Sequence, residues 1–384
     1  MKSKGKKQKA KGKNMAFSLF YFLTEQGQRA SALLPFVFCL LPFALISPVQ
    51  AQDPVEQTNT IRVNTDFVSI DVAVSDRKGT RNLPQLTAED FTVFEDGVRQ
   101  KLASFSAVDE PFNLALLLDT SGSTQDEISK MRQAARRFLD LLRPQDRIAV
   151  LQFNQQVELI KDLTNDRQTL EKSLAELQAG SGTAFYDALQ LSLDDVFKQV
   201  NGRKAVIALT DGVDSFGKTT YEKLVPQLES AGVTLYFLEL DTEKFVEPRY
   251  LRTCQEAGHF RFSRKQLDKY VATFMKGEAP RWYEDSCKLE KLEKLQINQR
   301  LYEAARRELR DMAEQSGGHV FPVKTLDQVG PAYAQIAEEL RLRYSLAYYP
   351  TNENHDGKWR KLRVEIKRPG FVGKTRPGYR APRN

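Results

Sequence analysis

The sequence predicts an α/β fold: a doubly wound, mainly parallel sheet with helices on both faces, plus a small β-sandwich formed by N- and C-terminal strands. Three observations carry this. Leu114–Leu118 and Ala205–Leu209 are continuous apolar runs without a polar face, the pattern of parallel strands buried on both sides. Segments with apolar residues at helical spacing lie between such runs, as in βαβ units. Short alternating segments before residue 110 and after residue 342 instead have the period of half-buried antiparallel strands.

Residues 60–110 read as the N-terminal part of the sandwich. Ile61, Val63 and Thr65, then Val68, Ile70, Val72 and Val74, alternate until Asp76-Arg77-Lys78-Gly79 marks a turn. Thr92-Val93-Phe94-Glu95 reaches a second turn at Asp96-Gly97, and Val98 to Phe105 is expected as the return strand of that hairpin.

Residues 112–341 read as the α/β domain. After the first buried strand, Ile128, Met131, Ala135, Phe138 and Leu142 mark a helix that stops before Pro144. Arg147 to Phe153 is a second strand, with Val157 to Ile160 beside it. Leu170, Leu174 and Leu177 mark the next helix, which leads into Gly180-Ser181-Gly182-Thr183. Phe185, Leu189, Leu193, Val196 and Phe197 follow on another helix. Then come the strand into Asp211, a helix through Tyr221, Leu224, Leu228 and Ala231, and a strand at Val233 to Leu240. A helical insert is expected at about 241–300, with the domain resuming at Tyr302 to Ala313, a stop at Gly317-Gly318, a strand at His319 to Val323 and a last helix at Val329 to Leu340. Residues 342–384 are β again, at Tyr344 to Tyr349 and Trp359 to Ile366, and are expected to join the N-terminal strands.

The first 51 residues have the form of a signal peptide: lysines at positions 2 to 13, an apolar stretch from Ala32 to Ile46, and Val49-Gln50-Ala51 ahead of a cleavage point. The apolar stretch is short and contains Pro35 and Pro42, so membrane contact is expected only if the segment stays uncleaved. Seven lysines, Arg29 and Glu25 give this segment a net charge of +7, equal to that of the whole chain. The remainder is close to neutral, which removes the argument for nucleic-acid binding. Export near Ala51 implies a secreted, periplasmic or cell-envelope protein. In such an oxidising compartment Cys254 and Cys287 are expected to form a disulfide.

The chemistry concentrates at two strand ends. Leu114–Leu118 runs into Asp119-Thr120-Ser121-Gly122-Ser123, and Ala205–Thr210 runs into Asp211-Gly212-Val213-Asp214. In open α/β sheets, ligands bind beyond the carboxyl ends of the strands where strand order reverses. Two carboxylates and the hydroxyls of Ser121, Ser123 and Thr183 can converge there. An all-oxygen donor set of this kind suits a hard cation, Mg²⁺ first and Mn²⁺ or Ca²⁺ after it.

Asp119-x-Ser121-x-Ser123, Thr183 and Asp211-Gly212 resemble, in order and spacing, the metal-ion-dependent adhesion site of von Willebrand factor A domains. Asp90 to Gly97 and the Arg368-Pro369-Gly370 to Tyr379 tail are similar to segments of exported bacterial relatives. The resemblance implies metal contacts for Asp119, Ser121, Ser123, Thr183 and Asp211. It also implies a protein partner whose carboxylate completes the ion's coordination. Thr124, Tyr186, Asp214 and Phe216 are the candidates for a rim that would read this ligand.

Catalysis finds little support. Ser121 interrupts an aspartic-protease Asp-Thr-Gly, and no second carboxylate stands two positions after Asp119 for aspartyl phosphotransfer. None of His259, His319 and His355 lies near a Gly-x-Ser-x-Gly elbow, and no small-molecule substrate is evident. The expected function is thus an exported metal-dependent binding module and not an enzyme. The alternatives are an envelope scaffold with a purely stabilising metal and, behind it, a metal-assisted hydrolase.

Overall fold

The computed structural model describes residues 67–76, 86–106, 111–122, 128–252, 261–275, 285–341 and 343–383. The signal-like segment, the expected strand at 61–65, most of the turn at 76–79, Ser123, Thr124, Cys254 and His259 lie outside the described residues. Among those described, no helix is long and apolar enough to cross a membrane.

The α/β sheet has the order β10-β9-β8-β5-β6-β7. Its strands are β5 (Phe112–Asp119), β6 (Arg147–Phe153), β7 (Val157–Thr164), β8 (Arg203–Thr210), β9 (Val233–Leu240) and β10 (His319–Val323). All neighbours are parallel except β6 and β7. The chain steps outward from β5 to β6 and β7, then returns to place β8 on the other side of β5. Strand order therefore reverses between β5 and β8, which pair from Phe112↔Arg203 to Leu118↔Leu209. The unbroken apolar runs are explained by the layers. Leu114, Leu116 and Leu118 pack on one face with α1 (Ile128–Leu141), α2 (Arg167–Ala175) and α8 (Val329–Arg341). Ala115 and Leu117 pack on the other with α3 (Phe185–Leu191), α4 (Tyr221–Ala231) and α7 (Lys291–Ser316). Each fully buried leucine contributes about 2 kcal/mol of transfer free energy.

The remaining strands form two antiparallel sheets, each mixing early and late segments. Their strands are β1 (Val68–Asp76), β2 (Phe91–Glu95), β3 (Val98–Gln100), β4 (Leu102–Ser106), β11 (Arg343–Tyr348), β12 (Trp359–Ile366), β13 (Phe371–Lys374) and β14 (Gly378–Arg380). The orders are β13-β1-β11-β4 and β14-β12-β2-β3. Val68, Ile70, Val72 and Val74 meet Phe91, Val93, Leu362 and Val364 in a core between them. The return strand expected over Val98 to Phe105 is two strands in different sheets: β3 pairs with β2, and after Lys101 β4 pairs with β11. Local alternation cannot reveal such a change of sheet, because both halves alternate.

The insert also differs from expectation. Its helices α5 (Glu243–Tyr250) and α6 (Arg264–Phe274) are separate, but α7 runs without a break across the boundary placed at residue 302. Ile297 and Leu301 of α7 pack with Phe262, Leu267 and Leu289 in a small core, while Leu309, Met312 and Ala313 of the same helix pack on the sheet. One helix thus serves two cores. Its αL stop at Gly317 falls at the predicted place.

Candidate metal centre at the carboxyl edge of the sheet

Asp119 ends β5 and Asp211 directly follows β8, so the strand-order reversal brings both carboxylates to one edge. Both are nearly inaccessible, at 1% and 6% exposure. Asp119 Oδ1 accepts from the Ser121 amide at 3.0 Å, and Oδ2 accepts from the Thr210 hydroxyl at 2.8 Å. The same hydroxyl accepts from the Gly212 amide at 3.0 Å, so Thr210 ties the two strand ends together. Asp211 Oδ1 accepts from the Val213 amide at 3.0 Å. Its Oδ2 accepts from the Thr242 hydroxyl at 2.5 Å and from the Tyr302 hydroxyl at 3.3 Å.

Thr183 is fixed from the neighbouring loop. Its amide donates to Ser215 Oγ at 2.9 Å, and its carbonyl accepts from the Ser215 and Phe216 amides at 2.8 and 2.9 Å. The loop holding it is anchored by Gly180 N–H to the Thr120 carbonyl, 2.8 Å, and by Gln155 N–H to the Ser181 carbonyl, 2.8 Å. Gly182 has φ +65°, and a Cβ there would overlap the Phe216 ring, so both the turn and the close approach require glycine.

Ser121, Thr183 and Asp211 line one cavity of about 70 Å³. The insert roofs it with Val246, Tyr250, Arg261 and Gln266, and Tyr302 of α7 closes one side. Burial raises the Asp119 carboxyl, with the Asp211 charge second, to about 7, against hydrogen bonds from Ser121 and Thr210. Burial likewise raises Asp211 against the Thr242 hydrogen bond. Burial and then the Asp211 charge hold the Tyr302 hydroxyl well above its usual range, so it stays a donor. Arg306, whose charge reaches Asp211, is itself paired with Glu239 and Glu243.

Two buried carboxylates repelling each other, with hydroxyl oxygens beside them, are a donor set a hard divalent cation fits. Among the described residues no group of three or more His, Cys, Asp or Glu gathers that could hold a metal ion. Asp119, Ser121, Thr183 and Asp211 thus stand at one edge; Ser123, two positions after Ser121 in the sequence, is outside the described residues.

The four rim candidates divide. Phe216 is exposed at 49% and lines the cavity. Thr124 is outside the described residues. Tyr186 and Asp214 are not on a rim: both are buried in the joint between the insert and the sheet. Asp214 accepts from the Tyr186 and Gly217 amides and pairs with Lys265 Nζ at 2.7 Å. The Tyr186 hydroxyl bonds Glu308, which also holds Lys269 at 2.7 Å. His319 stands at the opposite, N-terminal end of β10 against Glu339, 2.9 Å away. Sequence reading passed over Thr210, Thr242 and Tyr302. Thr210, next to Asp211, had a local signal; the other two become visible only when the chain is folded.

Residues 113–270, less than half of the chain, match the von Willebrand factor type A domain family. The α/β portion has that fold, a mainly parallel sheet flanked by helices, with antiparallel sheets added to it. Among solved structures, the conserved hypothetical protein BatB from Bacteroides thetaiotaomicron is similar at 16% identity, over 60% of this chain and 97% of that chain, TM-score 0.37. A von Willebrand factor type A protein from Catenulispora acidiphila is similar at 11% identity, over 84% of this chain and 75% of that one, TM-score 0.40. Proximal thread matrix protein 1 from the mussel byssus, solved with a zinc-occupied MIDAS motif, is similar at 14% identity, over 64% of this chain and 50% of that one, TM-score 0.40.

Proposed function

We propose that the α/β domain is a metal-dependent protein-binding module, with Mg²⁺ the preferred ion and Mn²⁺ or Ca²⁺ substitutes. Asp119, Ser121, Ser123, Thr183 and Asp211 would hold it. When bound, the ion would supply residual positive charge and one exchangeable position for an acidic group of a partner protein. The observation that carries this reading is the burial of two carboxylates beside hydroxyl side chains, at the edge where strand order reverses. The chain's own residues do the rest: Thr210 fixes Asp119, Thr242 and Tyr302 fix Asp211, and the loop bonds fix Thr183. The test compares parent and Asp119→Ala in Mg²⁺ titration calorimetry and in affinity capture of envelope proteins, with Mg²⁺ and with chelator. Loss of both by the folded variant supports the module; capture by the folded variant equal to the parent's in Mg²⁺, or parent capture undiminished by chelator, rejects it.

A specific feature favours a second reading, a scaffold in which the metal only stabilises. Val246, Tyr250, Arg261 and Gln266 of the insert line a cavity of only about 70 Å³ beside Ser121, Thr183 and Asp211, which leaves little room for a partner's side chain. A chelator-induced drop in melting temperature with undiminished capture would decide for the scaffold. We further propose that the protein is exported with cleavage near Ala51 and that Cys254 and Cys287 form a disulfide. Amino-terminal sequencing of the exported protein checks the first. Two reactive thiols in unreduced protein would refute the second.

A further inference from the structure

At the opposite, amino-terminal edge of the α/β sheet lies a larger opening. A cleft of about 640 Å³ separates the start of β8 and the end of α4 from the outward face of the β13-β1-β11-β4 sheet. That face alternates against the sandwich core. Val68, Ile70 and Val72 point inward, while Ser69 and Asp71 lie on the other side with Ser345, Ser104 and Ser106 of the neighbouring strands. A sheet face meant to pack dry against a second domain carries apolar residues; this one carries short hydroxyls, which leave the space open.

Positive charge faces those hydroxyls. Arg203, Lys204, Arg376 and Arg380 line the cleft, against the single lining carboxylate Asp71. Arg380 is matched by Glu229 at 2.8 Å, and Asp71 lies 3.8 Å from Arg203. Two cations are left over. Arg376 spans the cleft, donating to the Ser69 carbonyl at 3.0 Å and the Glu229 carbonyl at 3.4 Å, and has no carboxylate within ion-pair distance among the described residues. Its Nε is buried and has no hydrogen-bond partner among the described residues. Lys204, half-buried, makes no hydrogen bond or ion pair among the described residues. Burial lowers its pKa, and the Arg376 charge lowers it further. The Asp71 charge attracts both, but it also faces Arg203, so one carboxylate among three cations leaves excess positive charge in a partly desolvated cleft, which an anion would balance.

We propose that this cleft binds a small organic anion, its phosphate or carboxylate head between Lys204 and Arg376 and its polar body along the serine-lined sheet face. The volume falls in the range of small-molecule sites, which favour domain interfaces, and is too confined for a folded partner. The guanidinium and the ammonium supply charge-assisted donors, the hydroxyls supply orientation. This site is separate from the metal centre, on the order of 25 Å away along eight-residue β8.

The experiment is titration calorimetry on the full chain with chelator present, so that divalent ions play no part. The probes are glucose 6-phosphate, inorganic phosphate, galacturonate and neutral glucose. Saturable binding of the phosphate probes or of galacturonate, and none of glucose, is expected; which anion binds identifies the head group. Lys204→Gln, at a half-buried position with no hydrogen bond or ion pair among the described residues, should weaken binding about tenfold, as should Arg376→Gln. Ser345→Leu, which fills the cleft beside Asp71 and leaves both cations in place, should weaken it too. The proposal is overturned if no anionic probe saturates at millimolar concentration, if glucose binds as well as its phosphate, or if Lys204→Gln binds like the parent.

Discussion

The hydroxyls of Thr242 and Tyr302, one at the start of the insert and one on α7, converge on Oδ2 of Asp211, at 2.5 and 3.3 Å. They also bond each other at 2.7 Å. Their effect on a metal at Asp211 is orientational, because a carboxylate free to rotate loses part of its affinity each time it turns away. A hydrogen bond to a charged acceptor contributes about 1.5–3 kcal/mol, and the 3.3 Å bond belongs at the lower end. Tyr302→Phe should therefore raise the Mg²⁺ dissociation constant about tenfold. Thr242→Val removes the shorter bond and should raise it more, toward about a hundredfold. Since the two hydroxyls share a bond, the double variant should fall short of the summed penalties by at least about 0.5 kcal/mol. Calorimetric titration of parent, both single variants and the double variant with MgCl₂ gives the full cycle, and melting curves in chelator confirm that each is folded. If folded Tyr302→Phe binds Mg²⁺ as tightly as the parent, the insert does not tune the site and the reasoning fails.

Three further outcomes follow from the geometry. Burial raises the Glu339 carboxyl, but the His319 hydrogen bond and the Arg343 charge outweigh it and bring it down to about 2 from an ordinary 4.5. Its contribution, about 3 kcal/mol, is full above the unfolded-state value and lost as pH falls from about 4.5 to 2; urea midpoints of parent and Glu339→Gln should converge across that window. Lys265→Met leaves Asp214 buried without its cation and should cost about 3–5 kcal/mol, read from melting curves, with faster hydrogen exchange across α6. A Cβ at Gly318 would lie 1.8 Å from the Leu235 carbonyl oxygen, so Gly318→Ala must displace backbone between α7 and β9 and should lower stability by about 3 kcal/mol or more in denaturant titration.

Much of the α/β portion was legible because its signals are local. An apolar run with no polar face has one stable use, a strand covered on both sides, and an aspartate after such a run must stand at the sheet's edge. The helix stop at Gly317 needs only a residue tolerant of positive φ. The sandwich strands were legible as strands but not as partners: Val98 to Phe105 keeps its alternation while changing sheets at Lys101. Tyr186 and Asp214 show the same limit at the site. Being near Thr183 and Asp211 in the chain placed them at a rim, yet Lys265, Lys269 and Glu308, remote in sequence, draw them into a buried joint.

By itself the sequence determined the order of strands and helices in the α/β portion outside the insert, the two strand-end aspartates and the oxygen-only chemistry around them, since each depends on residues within a few positions of one another. Tertiary structure alone decided that Thr242 and Tyr302 hold Asp211, that α7 serves two cores, and that serines of one sheet face the cations at the foot of another. Those relations join residues from 31 to over 300 positions apart, and no periodicity or motif encodes a contact of that span; it exists only once chain packing has brought the two surfaces together.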